Sequence, residues 1–149
     1  MSEISINLTW KLGEGKMTPE NYSNVHEIVF TPKSKIIGDS APDWRGNDLN
    51  INPEQTLAAS LSSCHMMTFL ALAAKMNWPV LSYKDRAIAT LGKNSKGLMS
   101  VIKLELNPKV EFSKNFTVEP NEMKKVQDRA HRYCFIANSL SDEVKVLIN

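Results

Sequence analysis

Twenty consecutive residues, Gln55 to Ala74, carry no formal charge. Asn52 is a good N-cap, Pro53 suits the first helical position, and Glu54 and Gln55 fill the first turn. Nothing interrupts the pattern until Asn77, Trp78 and Pro79. The run predicts a helix of about 25 residues, or roughly 37 Å. That is the length of a membrane span. The composition argues otherwise, because seven of the twenty are polar: Gln55, Thr56, Ser60, Ser62, Ser63, His65 and Thr68. The expectation is therefore a helix buried on nearly all sides. One small domain rarely covers such a helix, so a partner subunit is expected to cover the rest.

The remainder of the chain supplies strands. ISINLTWKL alternates, with Ile4, Ile6, Leu8 and Trp10 on one face, and VHEIVF is rich in strand formers, so residues 3–12 and 24–31 read as two strands. Residues 38–52 read as a long loop with two glycines, a proline and several Asp and Asn residues. After the helix, residues 80–91 and 98–106 alternate as the arms of a hairpin joined through GKNSKG. Leu98, Ile102, Leu104 and Leu106 share one face of the second arm. Pro120 opens a second helix with Met123, Val126, Ala130 and Tyr133 on one face. Residues 143–148 close as a strand. Antiparallel hairpins with two helices make an α+β class.

Composition excludes several functions. A chain of 149 residues with 42% hydrophobic and 23% charged content is one ordinary globular domain. The net charge of +2 gives no reason to expect nucleic acid or an anionic membrane as partner. MSEISINLTW has an acidic residue and no apolar core of a leader, so the expected compartment is the cytoplasm. There a permanent disulfide is not expected, and any bridge would be transient.

Two cysteines, Cys64 and Cys134, stand 70 residues apart. Cys64 lies in the uncharged run, whereas Cys134 ends a charged helix. Two readings follow: a redox pair, or two inert thiols packed as small apolar groups. Cys64 and His65 are neighbours about 100° apart on a helix, a poor chelate, so no metal or cofactor is expected. His131 lies three residues before Cys134, placed to tune that thiol or to pack. Met66, Met67, Phe69 and Leu70 read as core, or as an apolar channel lining.

N-P-E-Q-x-L-A-A-S-L-S-S-C-H, from Asn52 to His65, together with A-H-x-Y-C-F-I-A-N-S, from Ala130 to Ser139, resembles the OsmC/Ohr family of osmotically inducible and organic hydroperoxide resistance proteins. The resemblance covers nearly the whole chain. It implies an OsmC-like single domain over residues 1–149, antiparallel sheets around a long central helix, and an intertwined homodimer. It also implies a thiol peroxidase that reduces organic hydroperoxides or hydrogen peroxide and is recycled by a dithiol reductant. Cys64 matches the peroxidatic cysteine, Cys134 the resolving cysteine, and Glu54 the glutamate that orients an activating arginine. A mid-helix thiol lies too far from the helix N-terminus to gain from it, so its thiolate needs a cation. Arg45, in D-W-R-G, is the single arginine before Cys64 and the candidate, with Arg86, Arg129 and Arg132 behind it. In the family that arginine lies further upstream, and many members have proline where this chain has Phe135. Along one unbroken helix Glu54 and Cys64 are ~15 Å apart, which again favours a dimer. The alternative is a binding or redox-sensing protein on the same scaffold, with no catalysis.

Overall fold

The computed structural model describes residues 2–149. The elements run β1 (Asn7–Thr9), β2 (His26–Thr31), β3 (Ser34–Gly38), α1 (Pro53–Lys75), β4 (Val80–Lys84), β5 (Ile88–Lys93), β6 (Met99–Leu106), β7 (Lys109–Phe112), α2 (Pro120–Tyr133) and β8 (Lys145–Ile148). Short 3-10 turns occupy Pro42–Trp44 and Ala137–Ser139. The chain forms two compact units, residues up to Thr56 and from Leu57 onward.

In the first unit β1, β2 and β3 form an antiparallel sheet. β3 lies just beyond the second expected strand, and β1 is shorter than the alternation suggests, because only Asn7–Thr9 pair with Glu27–Val29. Of residues 2–56, Gly38 and Asp39 alone are buried. Ile4, Ile6, Leu8, Trp10, Phe30 and Ile37 are all exposed. The long loop after β3 is ordered around Asp39, whose carboxylate accepts from the Ser40 and Asn47 backbone N–H groups and from Asn50 Nδ2. Gly46 follows from that closure: a Cβ there would sit 1.5 Å from the Ser40 carbonyl oxygen.

α1 is bounded by chemistry legible in its sequence. Asn52 Oδ1 accepts from Gln55 N at 2.8 Å, and Gln55 Oε1 accepts from Asn52 N at 3.0 Å, a reciprocal capping box. At the other end Asn77 takes a left-handed φ of 57°, with Asn77 N bonded to Ala74 O and Trp78 N to Ala73 O, a Schellman closure. Ala58, Leu61, His65, Phe69, Leu72 and Ala73 are buried. The opposite edge, Ala59, Ser63, Met67 and Ala71, is exposed, so a single chain buries one stripe of α1 rather than nearly all of it.

The second unit packs two cores against that stripe. Ala58 and Leu61 join Leu104, Leu106 and Cys134. Further along, Phe69, Leu72 and Ala73 join Val126 and Ala130 of α2, with Trp78 and Tyr83 packed beside them. Phe69, Tyr83, Trp78, Phe112 and Phe116 form a chain of tilted and edge-on aromatic contacts, with centroids 5.3–6.4 Å apart.

The expected hairpin is divided. Its first arm is two strands: β4 pairs with β7, and β5 pairs with β6. The break falls at Asp85, whose Oδ2 accepts from Ser62 Oγ on α1 at 2.5 Å and whose Oδ1 accepts from Asn107 N at 2.6 Å. The carboxylate thereby ties α1 to both strand pairs where the ladder stops. β8 joins β6 in parallel, because α2 carries the chain back before it pairs. Leu98 falls outside β6 and is exposed. On α2, Val126, Gln127 and Ala130 are buried, while Tyr133 turns outward beneath Arg129, 6.0 Å from its guanidinium. The helix ends there, and Cys134 takes the next buried position. Asp85→Ala, which strands the Ser62 hydroxyl and the Asn107 N–H, is expected to cost about 2–3 kcal/mol. Urea unfolding of the variant against wild type checks this.

Candidate functional site

The two thiols meet in the second unit. Cys64, mid-way along α1 and half-buried, packs against Cys134, which is 0% exposed at the C-cap of α2. Both are free thiols, close enough for Cys64 to raise the Cys134 pKa. Seventy residues of sequence are closed because α1 and α2 pack side by side and α2 ends against Leu61. Extended backbone at Cys134, ψ 116°, directs the following residues back over its sulfur, and Ala137 N donates to Cys134 Sγ at 3.4 Å. Burial pushes the Cys134 thiol up to about 11, the hydrogen bond and charge of Cys64 add to this, and the N–H groups of Ala137 and Ile136 oppose it. Cys134 thus rests as a thiol beside Cys64.

A second polar contact lies one residue further along α1. His65 is 0% exposed, and its Nε2 lies 2.7 Å from Gln127 Oε1 on α2. An amide oxygen only accepts, so Nε2 carries the proton. Nδ1 is buried without a hydrogen-bond partner. Burial holds the His65 pKa below its ordinary value, the Gln127 hydrogen bond opposes this, His131 deepens it, and Asp85 offsets it. The Tyr83 hydroxyl is also buried and unpartnered, and its pKa is raised by burial and then by Asp85. Gln127, Asp85 and Ser62 were not legible as site residues. The available signal was His65, a lone imidazole in a run that was otherwise small or apolar.

The other expected site residues are placed differently. Arg45 sits in the loop of the first unit at φ 71°, exposed, with its guanidinium bonded to Glu20 Oε1 at 2.8 Å. Glu54, in the first turn of α1, has Oε2 buried without a hydrogen-bond partner, and none of the ion pairs among the described residues includes it. Arg86, Arg129 and Arg132 are exposed. Phe69 belongs to the core, Leu70 packs beside it, and Met67 faces outward. No group of three or more His, Cys, Asp and Glu side chains among the described residues could hold a metal ion.

The fold is that of the OsmC-like proteins. The family model for OsmC-like protein matches residues 46–149, and the chain belongs to that family. Its structure is similar to that of an OsmC-like protein of unknown function from Vibrio cholerae, with 40% identity and a TM-score of 0.91 over 100% of this chain and 99% of that one. An organic hydroperoxide resistance protein from Elizabethkingia anophelis shares the fold at 17% identity and a TM-score of 0.74, over 99% of this chain and 96% of that one. One from Bacillus subtilis does so at 16% identity and a TM-score of 0.67, over 98% and 97%. No curated protein matches the sequence.

His65 generates a pH dependence with a definite sign. Its folded pKa lies below the unfolded 6.5, so its stability contribution is whole above pH 6.5 and is lost as pH falls towards the folded value. Urea midpoints between pH 7.5 and 5.5 are expected to fall for wild type and to fall less for His65→Gln.

Proposed function

We propose that this protein is a thiol-dependent peroxidase that reduces organic hydroperoxides or hydrogen peroxide. The observation that carries this reading is the pairing of the two free thiols in the core of an OsmC-like chain, one half-buried and one fully enclosed. The Cys64 thiolate attacks the terminal peroxide oxygen. The O–O bond breaks, the alkoxide leaves and is protonated to the alcohol, and Cys64 becomes a sulfenic acid. Cys134 then attacks that sulfur, hydroxide leaves with the thiol proton as water, and a disulfide forms. A dithiol reductant restores both thiols. The raised pKa of Cys134 supports this order, because the attacking sulfur must be a thiolate while its neighbour stays protonated.

Glu54 is the proposed positioning residue for the cation beside Cys64 of a second copy, because about 15 Å of unbroken α1 separates it from its own Cys64. Its buried, unpartnered Oε2 suits a guanidinium, which would bond to it in a charge-assisted pair. Arg45 fills that role once released from Glu20, or else Arg86, Arg129 or Arg132 does so from a second copy. The uncharged outer edge of α1 and the exposed apolar residues of the first sheet support a homodimer. The proposed compartment is the cytoplasm. The ion pair of Arg45 with Glu20 favours a second reading, a redox-sensing or binding protein without turnover.

Consumption of cumene hydroperoxide and of hydrogen peroxide with dithiothreitol separates the two readings. Wild type is expected to turn over repeatedly. Cys64→Ser is expected to lose activity entirely, and Cys134→Ser to slow strongly or stop after one reduction per Cys64. Wild type that forms the disulfide without turnover would leave the sensing role. Sedimentation at micromolar concentration is expected to show a dimer, and a folded monomer there would remove the proposed assembly.

A further inference from the structure

The two sulfurs of the pair stand in unequal surroundings. Cys64 is half-buried on α1, whereas Cys134 is 0% exposed and enclosed with Leu61, Leu104 and Leu106. The donors are also unequal. Ala137 N, 3.4 Å from Cys134 Sγ, donates to that sulfur. It comes from the turn that follows α2 and is not needed to pair a strand. Cys64 sits inside a continuous helix, where backbone N–H groups are bonded to carbonyls one turn back, so it receives no such donors.

A disulfide can be opened at either sulfur, and here access decides which, since burial disfavours the Cys134 thiolate. We infer that the reductant's thiolate attacks Cys64 of the oxidised pair and that the enclosed Cys134, beside the Ala137 amide, departs. The inference rests on the proposed redox pairing of Cys64 with Cys134 and deepens it. A bond forms between the reductant sulfur and Cys64 Sγ. The S–S bond breaks, its electron pair passes to Cys134 Sγ, and that sulfur, 3.4 Å from Ala137 N, takes a proton from water. The second thiol of the reductant then attacks its own sulfur bonded to Cys64. That step releases Cys64 as a thiolate and closes the reductant's disulfide. Two thiols of the reductant are oxidised and one protein disulfide is reduced. The buried position of Cys134 suits a leaving group, which needs no room for an adduct, and suits an attacked sulfur poorly.

The experiment begins from a disulfide made with diamide, so it does not depend on peroxide activity. The oxidised wild-type protein is mixed briefly with 2-mercaptoethanol, quenched in acid, alkylated, and mapped by peptide mass spectrometry. The expected result is mercaptoethanol on Cys64 and alkyl on Cys134. Mercaptoethanol on Cys134 would overturn the inference and leave the redox pairing intact. Failure of diamide to join the two cysteines would overturn the pairing itself, and the inference with it. A second measurement needs no disulfide. Ellman's reagent should modify Cys134 in Cys64→Ser at least about tenfold more slowly than Cys64 in Cys134→Ser, through enclosure and a small thiolate fraction. Equal rates in folded variants would show that Cys134 is as open to attack as Cys64, and the inference would fail.

Discussion

The placement of both thiols depends on one helix being buried along a single stripe by two separate cores. The first half of the stripe packs on the β5–β6–β8 sheet, and the second half on α2 and the aromatic chain of Phe69, Tyr83, Trp78, Phe112 and Phe116. Apolar burial contributes roughly 25 cal/mol per Å² but carries no direction. Direction along α1 comes from polar contacts near the middle. Ser62 bonds to Asp85, and His65 bonds to Gln127. A rotation of α1 that kept the same apolar area would break both contacts, and the His65–Gln127 one is buried, where unmade hydrogen bonds are costly. Cys64 lies between those two residues, so the contacts that fix the rotation of the helix also aim the sulfur.

Much of this was legible in the sequence because the signals were local. Asn52, Pro53 and Gln55 mark one end of α1, and Asn77 with Pro79 marks the other. Pro120 marks the start of α2. Local alternation, by contrast, does not say which strand pairs with which. Residues 80–91 alternate well enough to read as one arm, but the break at Asp85 depends on Ser62 and Asn107, each more than 20 residues away. β3 and β7 were missed for a related reason. They are five and four residues long, too short for alternation to mark them.

The site divides along the same line. Cys64 and Cys134 became partners in the sequence through family resemblance, since no spacing rule joins residues so far apart. Arg45 shows the reverse case. Elimination singled it out as the first arginine available, while the structure bonds it to Glu20, in a turn that offered no signal of that contact. Exposed pairs of this kind contribute about 0–1 kcal/mol, so the bond to Glu20 is a weak restraint on where the guanidinium goes. Glu54 carries the opposite imbalance, with an acceptor withdrawn from water and no donor supplied.

The bare first sheet bears on the order in which the molecule assembles. Ordering a residue costs about 1–2 kcal/mol of backbone entropy, and a segment that buries only Gly38 and Asp39 has almost no apolar gain to set against it. Such a sheet cannot serve as a nucleus. Residues 57–149 hold both apolar cores, and nucleation belongs to them. During synthesis the ribosome delivers the stretch that cannot fold alone before the stretch that can. Ile4, Ile6, Leu8 and Trp10 therefore stay open to chaperones until residues 57–149 have followed.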